Sequence, residues 1–76
     1  MKPNNIRVGQ RLLSWDNTKG YVALNKAGRR SYGPGEKFRV EWLGSDGEIE
    51  ESCYYTLDTL EAEGVKLSKG IMSWAR

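Results

Sequence analysis

The 76-residue chain contains no histidine and only one cysteine, Cys53. The first absence removes the commonest general base and metal ligand, and the second rules out an internal disulfide. Cys53 also lies beside Glu50 and Glu51, whose negative charges disfavour the thiolate that a catalytic cysteine needs. We therefore expect a protein that is not an enzyme and uses no metal or cofactor. Cys53 is predicted to be a structural residue in a reducing, cytoplasmic environment.

Long apolar runs are absent too. Residues 1–9 contain none, so we expect neither a signal peptide nor a membrane span there, and residues 68–76 are too few to anchor the chain in a bilayer. A chain of 76 residues has material for one small core. We predict a single domain over residues 1–76, monomeric or weakly dimeric, whose function lies on its surface rather than in a deep cavity.

The formal net charge is only +2, but the charges are unevenly distributed along the chain. Residues 1–42 carry nine Lys or Arg and three acidic residues, a balance of +6. Residues 43–76 carry three basic and seven acidic residues, a balance of −4. Such a chain can present one positive and one negative surface, provided that the fold keeps the two halves apart.

What the chain does contain is a series of short apolar segments separated by turn residues, a pattern typical of a small all-β domain. The segments predicted to form strands are 8–15, 21–25, 37–43, 48–55 and 65–67. The third of these alternates most clearly between apolar and charged residues. The positions predicted to face the core from the third and fourth segments are Phe38, Val40, Trp42, Ile49, Cys53 and Tyr55.

The segments between the predicted strands are rich in turn-forming residues. Residues 16–20 are predicted to turn with Gly20 in the left-handed conformation, and residues 44–47 to close a tight hairpin. Three glycines and a proline within residues 26–36 argue against a helix or a paired strand in that loop. Residues 56–64 are predicted to form a single helical or 3-10 turn.

Three stretches carry a resemblance to a known class of folds: VGQRLLSW, GYVAL and FRVEWLGSDGEIEESCYYTLDTLE. In these, an alternating strand, an Asp-Gly turn, an acidic return strand and an L-x-x-L turn follow one another in order. The chain resembles the SH3-like small barrels, the Tudor, KOW and chromo-barrel domains among them, over residues 6–67. The resemblance implies a five-stranded barrel with a 3-10 turn before the last strand and a short C-terminal tail, residues 68–76. The loop after the second strand is longer and more basic than these barrels usually have.

That basic loop is the leading candidate for a binding site, because cations with a nearby aromatic ring suit a nucleic-acid backbone and its bases. Tyr32 is predicted to stack on a base, while Lys19 and either Arg7 or Arg11 would extend the positive patch. The residues predicted to contact phosphates in the loop and the next strand are Lys26, Arg29, Arg30, Lys37 and Arg39. The partner would be DNA or RNA, read with low sequence selectivity. The alternative is that these charges only keep a long loop soluble.

The aromatic residues support a second hypothesis, a module that docks on another protein. The Tudor resemblance implies a cage that binds a methylated lysine or arginine, here built from Trp15, Tyr21 and Tyr54 with Asp16 and Asp46 nearby. The plainer interpretation is that such aromatic residues pack the core. Docking through the acidic strand, or a homodimer contact through residues 70–76, is also considered. A further alternative is that the acidic half imitates a nucleic-acid backbone.

Overall fold

Residues 4–75 are described by the computed structural model, and most of their regular structure is strand, at 44% against 11% helix. Residues 1–3 and 76, which belong to the predicted domain and its tail, lie outside the described residues. The elements are β1 (Ile6–Arg7), β2 (Gln10–Leu13), β3 (Lys19–Val22), β4 (Ser31–Tyr32), β5 (Phe38–Leu43), β6 (Ile49–Tyr55), α1 (Leu57–Ala62), β7 (Lys66–Ile71) and the 3-10 helix η1 (Ser73–Ala75).

Five of the strands form one antiparallel sheet in the order β6-β5-β3-β2-β7, and β1 pairs with β4 in a separate two-stranded sheet. The strands β2, β3, β5 and β6 pair in chain order, and the last strand, β7, then pairs with β2. The mostly β prediction is confirmed. Within residues 4–75 the strands β6 and β7 are the two edges of the large sheet, and no strand pairing closes it into a barrel. Neither helix in this part of the chain is long and apolar enough to cross a membrane.

The core lies on one face of the large sheet. The alternation of β5 is confirmed, since Phe38, Val40 and Trp42 are buried while the residues between them are less so. Trp42 donates from its indole nitrogen to the Tyr55 hydroxyl at 3.3 Å, and their rings meet edge to face. The other buried members of this cluster are Ile6, Val8, Leu12, Val22, Tyr32, Leu57 and Leu60.

The first predicted strand, 8–15, is shorter in the structure, where only β2 (Gln10–Leu13) lies within it, and β1 precedes it as a separate strand. Gly9 has φ +88° and donates its amide to the Val22 carbonyl at 2.8 Å, so the chain bends between β1 and β2. The separated β1 then pairs with β4, with Ile6 opposite Tyr32. The prediction that residues 26–36 hold no paired strand is therefore wrong. Gly28 and Gly35 take the left-handed conformation on either side, and Ser31 and Tyr32 between them pair with β1.

Gly20 is not the turn residue that the sequence pattern predicted. Asn17 takes the left-handed conformation in the first turn, with φ +71°, and Gly20 lies inside β3 opposite Trp42. A Cβ on Gly20 would lie 2.5 Å from Cε3 of Trp42 and 2.9 Å from the Glu41 carbonyl. Glycine is required here by the close approach of an indole rather than by backbone dihedral angles.

The hairpin at residues 44–47 is confirmed, with Gly44 donating to the Glu48 carbonyl at 2.8 Å and Gly47 at φ +82°. Ile49, predicted to face inward, is exposed because the β5–β6 register shifts between Trp42 and Leu43. One extra residue in a strand turns the following side chains to the other face.

The helical turn predicted at residues 56–64 is a six-residue α-helix, α1. Thr56 caps it, since its side chain accepts from the Thr59 amide while the Thr59 side chain accepts from the Thr56 amide. Gly64, at φ +74°, follows its end as predicted. The last strand is longer than the predicted 65–67, because residues 68–71 continue to pair with β2.

Candidate nucleic-acid interface

Asn25 organises the start of the basic loop. Its side-chain oxygen accepts from the Arg29 amide at 2.8 Å, its carbonyl accepts from the Gly28 amide at 3.3 Å, and its side-chain amide donates to the Tyr32 hydroxyl. Gly28 takes the left-handed conformation that this turn needs, with φ +71°. The cations of residues 26–30 are thus carried on a hydrogen-bonded turn.

Pairing between β1 and β4 brings a cation from the start of the chain to this loop. Arg7 is opposite Ser31, and Val8 donates its amide to the Arg30 carbonyl at 2.9 Å. Arg7 and Arg30 are both exposed, and neither side chain makes a hydrogen bond or ion pair with another residue of the described range 4–75. Arg7 and Arg11 were the two predicted alternatives for extending the patch, and Arg7 is the one that lies beside the loop. Arg11 lies opposite Tyr21 in β2.

A small cleft of about 160 Å³ opens between this loop and the C-terminal 3-10 helix; we term it the basic cleft. Three of the side chains along it are guanidinium-bearing, and none of the described lining residues is acidic. The lining residues are Arg7, Val8, Leu24, Gly28, Arg29, Arg30 and Trp74. The cleft therefore combines positive charge with an apolar and aromatic wall.

Trp74 was not among the predicted site residues. The Met72 amide donates to the Gly9 carbonyl at 2.8 Å, which carries η1 back across the sheet. The Trp74 ring then meets the Tyr21 ring edge to face, with centroids 5.5 Å apart and planes at 71°. The only sequence signal was an aromatic residue in a short tail, and nothing local in the sequence indicated which surface it would reach.

Arg29 is held more tightly than Arg30. Its guanidinium forms an ion pair with Glu36, donates from Nε to the Ser31 carbonyl at 2.9 Å, and lies 5.2 Å from the centroid of the Tyr32 ring. The Glu36 carboxylate also accepts from the Gly33 amide at 2.7 Å. That hydrogen bond, followed by Arg29, holds the pKa of Glu36 below its ordinary value, so Glu36 opposes part of the loop's positive charge.

The predicted stacking role of Tyr32 is wrong. Its side chain is only 6% exposed, packs against Phe38 with centroids 5.5 Å apart, and is covered by Arg29. The reason is β4, whose two residues alternate so that Ser31 faces out and Tyr32 faces the core. A buried ring offers no free face to a base.

Arg39 does face outward from β5 as predicted, but its charge is balanced. Its guanidinium donates to Glu41 Oε1 at 3.2 Å and to the Leu24 carbonyl at 3.3 Å. Tyr21 donates to the other oxygen of Glu41 at 2.8 Å. Partial burial, with the hydrogen bond to Glu41, raises the pKa of Tyr21 to about 12. These groups form a network beneath Trp74 rather than a free cationic surface.

Of the remaining predicted cations, Lys26 and Lys37 are exposed near the loop, and Lys19 lies elsewhere. Lys19 begins β3 and borders a cleft beside the hairpin residues Gly44 and Gly47, at the opposite end of that strand from the loop. Lys19 is therefore not part of the predicted patch.

The three predicted cage residues are separated. Tyr21 lies under Trp74 in β3, Tyr54 is 70% exposed in β6, and β5 runs between those strands. Trp15, 78% exposed, instead lies along a different cleft of about 260 Å³, which we term the acidic cleft. Asp46 is engaged in its own turn, accepting from the Glu48 amide at 3.0 Å.

The acidic cleft has aromatic walls and carboxylates, and none of its described lining residues is basic. Partial burial, followed by the nearby Glu51 carboxylate, raises the pKa of the Cys53 thiol, so the thiol stays protonated at neutral pH. Residues 4–75 contain no group of three or more Cys, Asp or Glu side chains placed to hold a metal ion. The described lining residues are Ser14, Trp15, Asp16, Thr18, Trp42, Glu51, Cys53, Tyr55, Glu63 and Val65.

No protein-family model, no curated protein and no solved structure matches this chain. The chemistry of the two clefts is therefore what bears on function.

Proposed function

We propose that this protein binds nucleic acid through the basic cleft, as a cytoplasmic, non-enzymatic binding module. The observation that carries the proposal is that Arg7 and Arg30, whose side chains have no ionic partner among residues 4–75, border the same cleft as Trp74. Uncompensated arginines close together are electrostatically unfavourable unless they meet an anion, and a guanidinium donates two parallel hydrogen bonds to a phosphate.

The acidic residues after position 43 do not neutralise this surface. The loop arginine that is paired, Arg29, is bound to Glu36 of the same loop, not to the acidic strand β6. The basic cleft and the acidic residues of β6 could therefore bind separate partners. Lys26 in the loop and Lys37 directly after it are also exposed. Together with the arginines they could supply three to five phosphate contacts, most of them independent of base sequence.

The test is a titration of the full chain with labelled single- and double-stranded oligonucleotides, followed by fluorescence anisotropy at several salt concentrations. Three to five phosphate contacts predict a loss of affinity of about 20- to 500-fold between roughly 50 and 200 mM salt. The double variant Arg7→Glu/Arg30→Glu should remove most of the binding at low salt, because it replaces both free cations of the cleft.

The matched control is Lys66→Glu/Lys69→Glu, which reverses two exposed cations of β7 and changes the net charge equally. It should retain binding close to that of the unmodified chain. Equal losses in the two double variants, or no binding at low salt, would contradict the proposal. In amide-resolved NMR spectra, shifts should cluster at residues 26–30 and at Trp74.

A second candidate function is docking of a cationic segment of a partner protein in the acidic cleft. The observation that favours it is that Asp16, Glu51 and Glu63 line the same cleft as the exposed aromatic side chain of Trp15. Aromatic faces and carboxylates both attract an ammonium or guanidinium group. This differs from the predicted cage, because Tyr21 and Tyr54 do not contribute.

Tryptophan fluorescence of the chain would test this second candidate against a lysine-rich peptide and its fully acetylated form. The charged peptide should perturb the emission and the acetylated one should not, with the response lost in Glu51→Gln/Glu63→Gln. The control Glu48→Gln removes an exposed charge of the β5–β6 turn. A response that survives neutralisation of the cleft would exclude it as the docking site.

For the fold we propose the SH3-like small-barrel class. The return of β7 to pair with β2, the helix α1 directly before it, and one core shared by β2, β5, β6 and α1 support this assignment. A crystal structure should have the large sheet curled around that core. A flat, open sheet would contradict the assignment.

A further inference from the structure

We propose that the basic cleft selects single-stranded nucleic acid over duplex by stacking one base on Trp74, an inference that rests on the nucleic-acid binding proposed above. The juxtaposition that carries it is an exposed indole and an exposed leucine on a cleft also lined by Arg7 and Arg30, which have no acidic partner among residues 4–75.

The apolar part of this cleft is not needed for phosphate binding. Leu24 is 55% exposed and Trp74 is 40% exposed, and both border the cleft. Exposed apolar side chains improve neither the solubility of a loop nor its contacts with phosphates. Covering that surface with a flat ring is favourable, and every nucleobase presents such a ring.

The indole is also held in place before any ligand arrives. The Met72 amide fixes the start of η1 on the Gly9 carbonyl, and the Trp74 ring abuts Tyr21. The Tyr21 hydroxyl is in turn bonded to Glu41. A ring whose orientation is already determined loses little conformational freedom on binding, which favours affinity.

The size of the cleft favours one base rather than a duplex edge. At about 160 Å³ it is smaller than the roughly 300–1,000 Å³ typical of pockets for larger ligands, so it suits a single planar ring. In a duplex the faces of the bases are covered by their neighbours, whereas a single strand can turn an unstacked base toward an aromatic side chain. The flanking phosphates would then meet Arg7 and Arg30.

The experiment measures the affinity of the full chain for four labelled ligands by fluorescence anisotropy: an oligothymidylate, an oligouridylate, an abasic strand with the same number of phosphates, and a duplex of the same length. The base-bearing single strands should bind about fivefold or more tightly than the abasic strand and the duplex. Tighter binding of oligouridylate would assign RNA as the preferred source, and tighter binding of oligothymidylate would assign DNA; either supports the inference.

The deciding variant is Trp74→Ala, which should abolish the preference for base-bearing strands, measured as the ratio of its own affinities for base-bearing and abasic strands. The matched control is Tyr54→Ala, which removes an exposed aromatic side chain that borders neither cleft. It should retain the full preference. If Trp74→Ala also loses abasic binding, Trp74→Phe and Trp74→Leu decide: a preference that Trp74→Phe keeps and Trp74→Leu loses supports stacking, and any other result overturns it.

The inference and the proposed function fail in different ways. If abasic strand and duplex bind as tightly as the base-bearing strands, or if Trp74→Ala keeps the preference, stacking on Trp74 is overturned and phosphate binding by the arginines stands. If none of the four ligands binds at low salt, both are overturned.

Discussion

Tyr21 donates a 2.8 Å hydrogen bond across the sheet to Oε2 of Glu41, and the other oxygen of that carboxylate accepts from Arg39. The same tyrosine supports the ring of Trp74. One side chain therefore links the charge balance of the outer sheet face to the position of the indole in the basic cleft. A phenolate at this position would face the Glu41 carboxylate at hydrogen-bond distance.

Stability should consequently fall at high pH. The pKa of Tyr21 is raised to about 12 in the folded protein and is about 10 in the unfolded chain. Below pH 10 both states are protonated and the contribution is fully present, whereas between pH 10 and 12 the unfolded state alone releases its proton. Chemical denaturation across that interval should lose about 1–2 kcal/mol more for the unmodified chain than for Tyr21→Phe.

The control for this pH dependence is Tyr54→Phe, which changes an exposed tyrosine in β6. It should leave the loss between pH 10 and 12 as large as in the unmodified chain. Equal alkaline losses in Tyr21→Phe and the unmodified chain would show that ionisation of Tyr21 is not the cause.

Replacing Glu36 with Gln should strengthen polyanion binding. The Gln oxygen can still accept from the Gly33 amide, but Arg29 loses its ionic partner and gains freedom to contact a phosphate. One additional phosphate contact predicts a salt dependence steeper by about 0.7–0.9 in the slope of log K against log salt. Glu48→Gln, with the same change in net charge, should leave the slope unaltered. Equal slopes in the two variants would mean that Arg29 contributes no contact when released.

Gly20→Ala should destabilise the fold by about 1–3 kcal/mol, because the new methyl group would collide with Trp42 and with the backbone carbonyl of Glu41. Neither can move far inside the sheet. Gly33→Ala is the control, since its Cβ would approach only the end of the Glu36 side chain, at 3.3 Å, and no backbone atom. Denaturation midpoints of both variants provide the measurement. Comparable stability of the two variants would refute the close approach of Trp42.

Thr56→Ala should cost about 1 kcal/mol of stability, because the first turn of α1 loses the side chain that accepts from the Thr59 amide. Ser45→Ala, in the exposed β5–β6 turn, should be close to neutral. Urea denaturation distinguishes the two. A loss no greater than that of Ser45→Ala would mean that the capping box is not formed in solution.

Much of the secondary structure was predictable because its signals are local. The strict alternation around Phe38 and Val40 specified β5, the Asp-Gly turn specified the hairpin after it, and Gly64 marked the end of a helical segment. The errors arose where a distant residue overrides the local pattern. Gly20 was assigned to a turn because nothing near it in the sequence indicates that Trp42 lies above it.

The candidate site, likewise, could be predicted only in part from the sequence. The amino-acid sequence alone determined that cations are concentrated in residues 26–39 and acids after residue 43, since composition needs no folding to be read. Tertiary structure decided which of those cations are free: Arg29 and Arg39 are paired with carboxylates, whereas Arg30 has none within residues 4–75. It also turned Tyr32 inward and brought Trp74 to the cleft. Pairings of this kind join strands far apart along the chain, so they depend on the register of the whole sheet rather than on any short stretch of sequence.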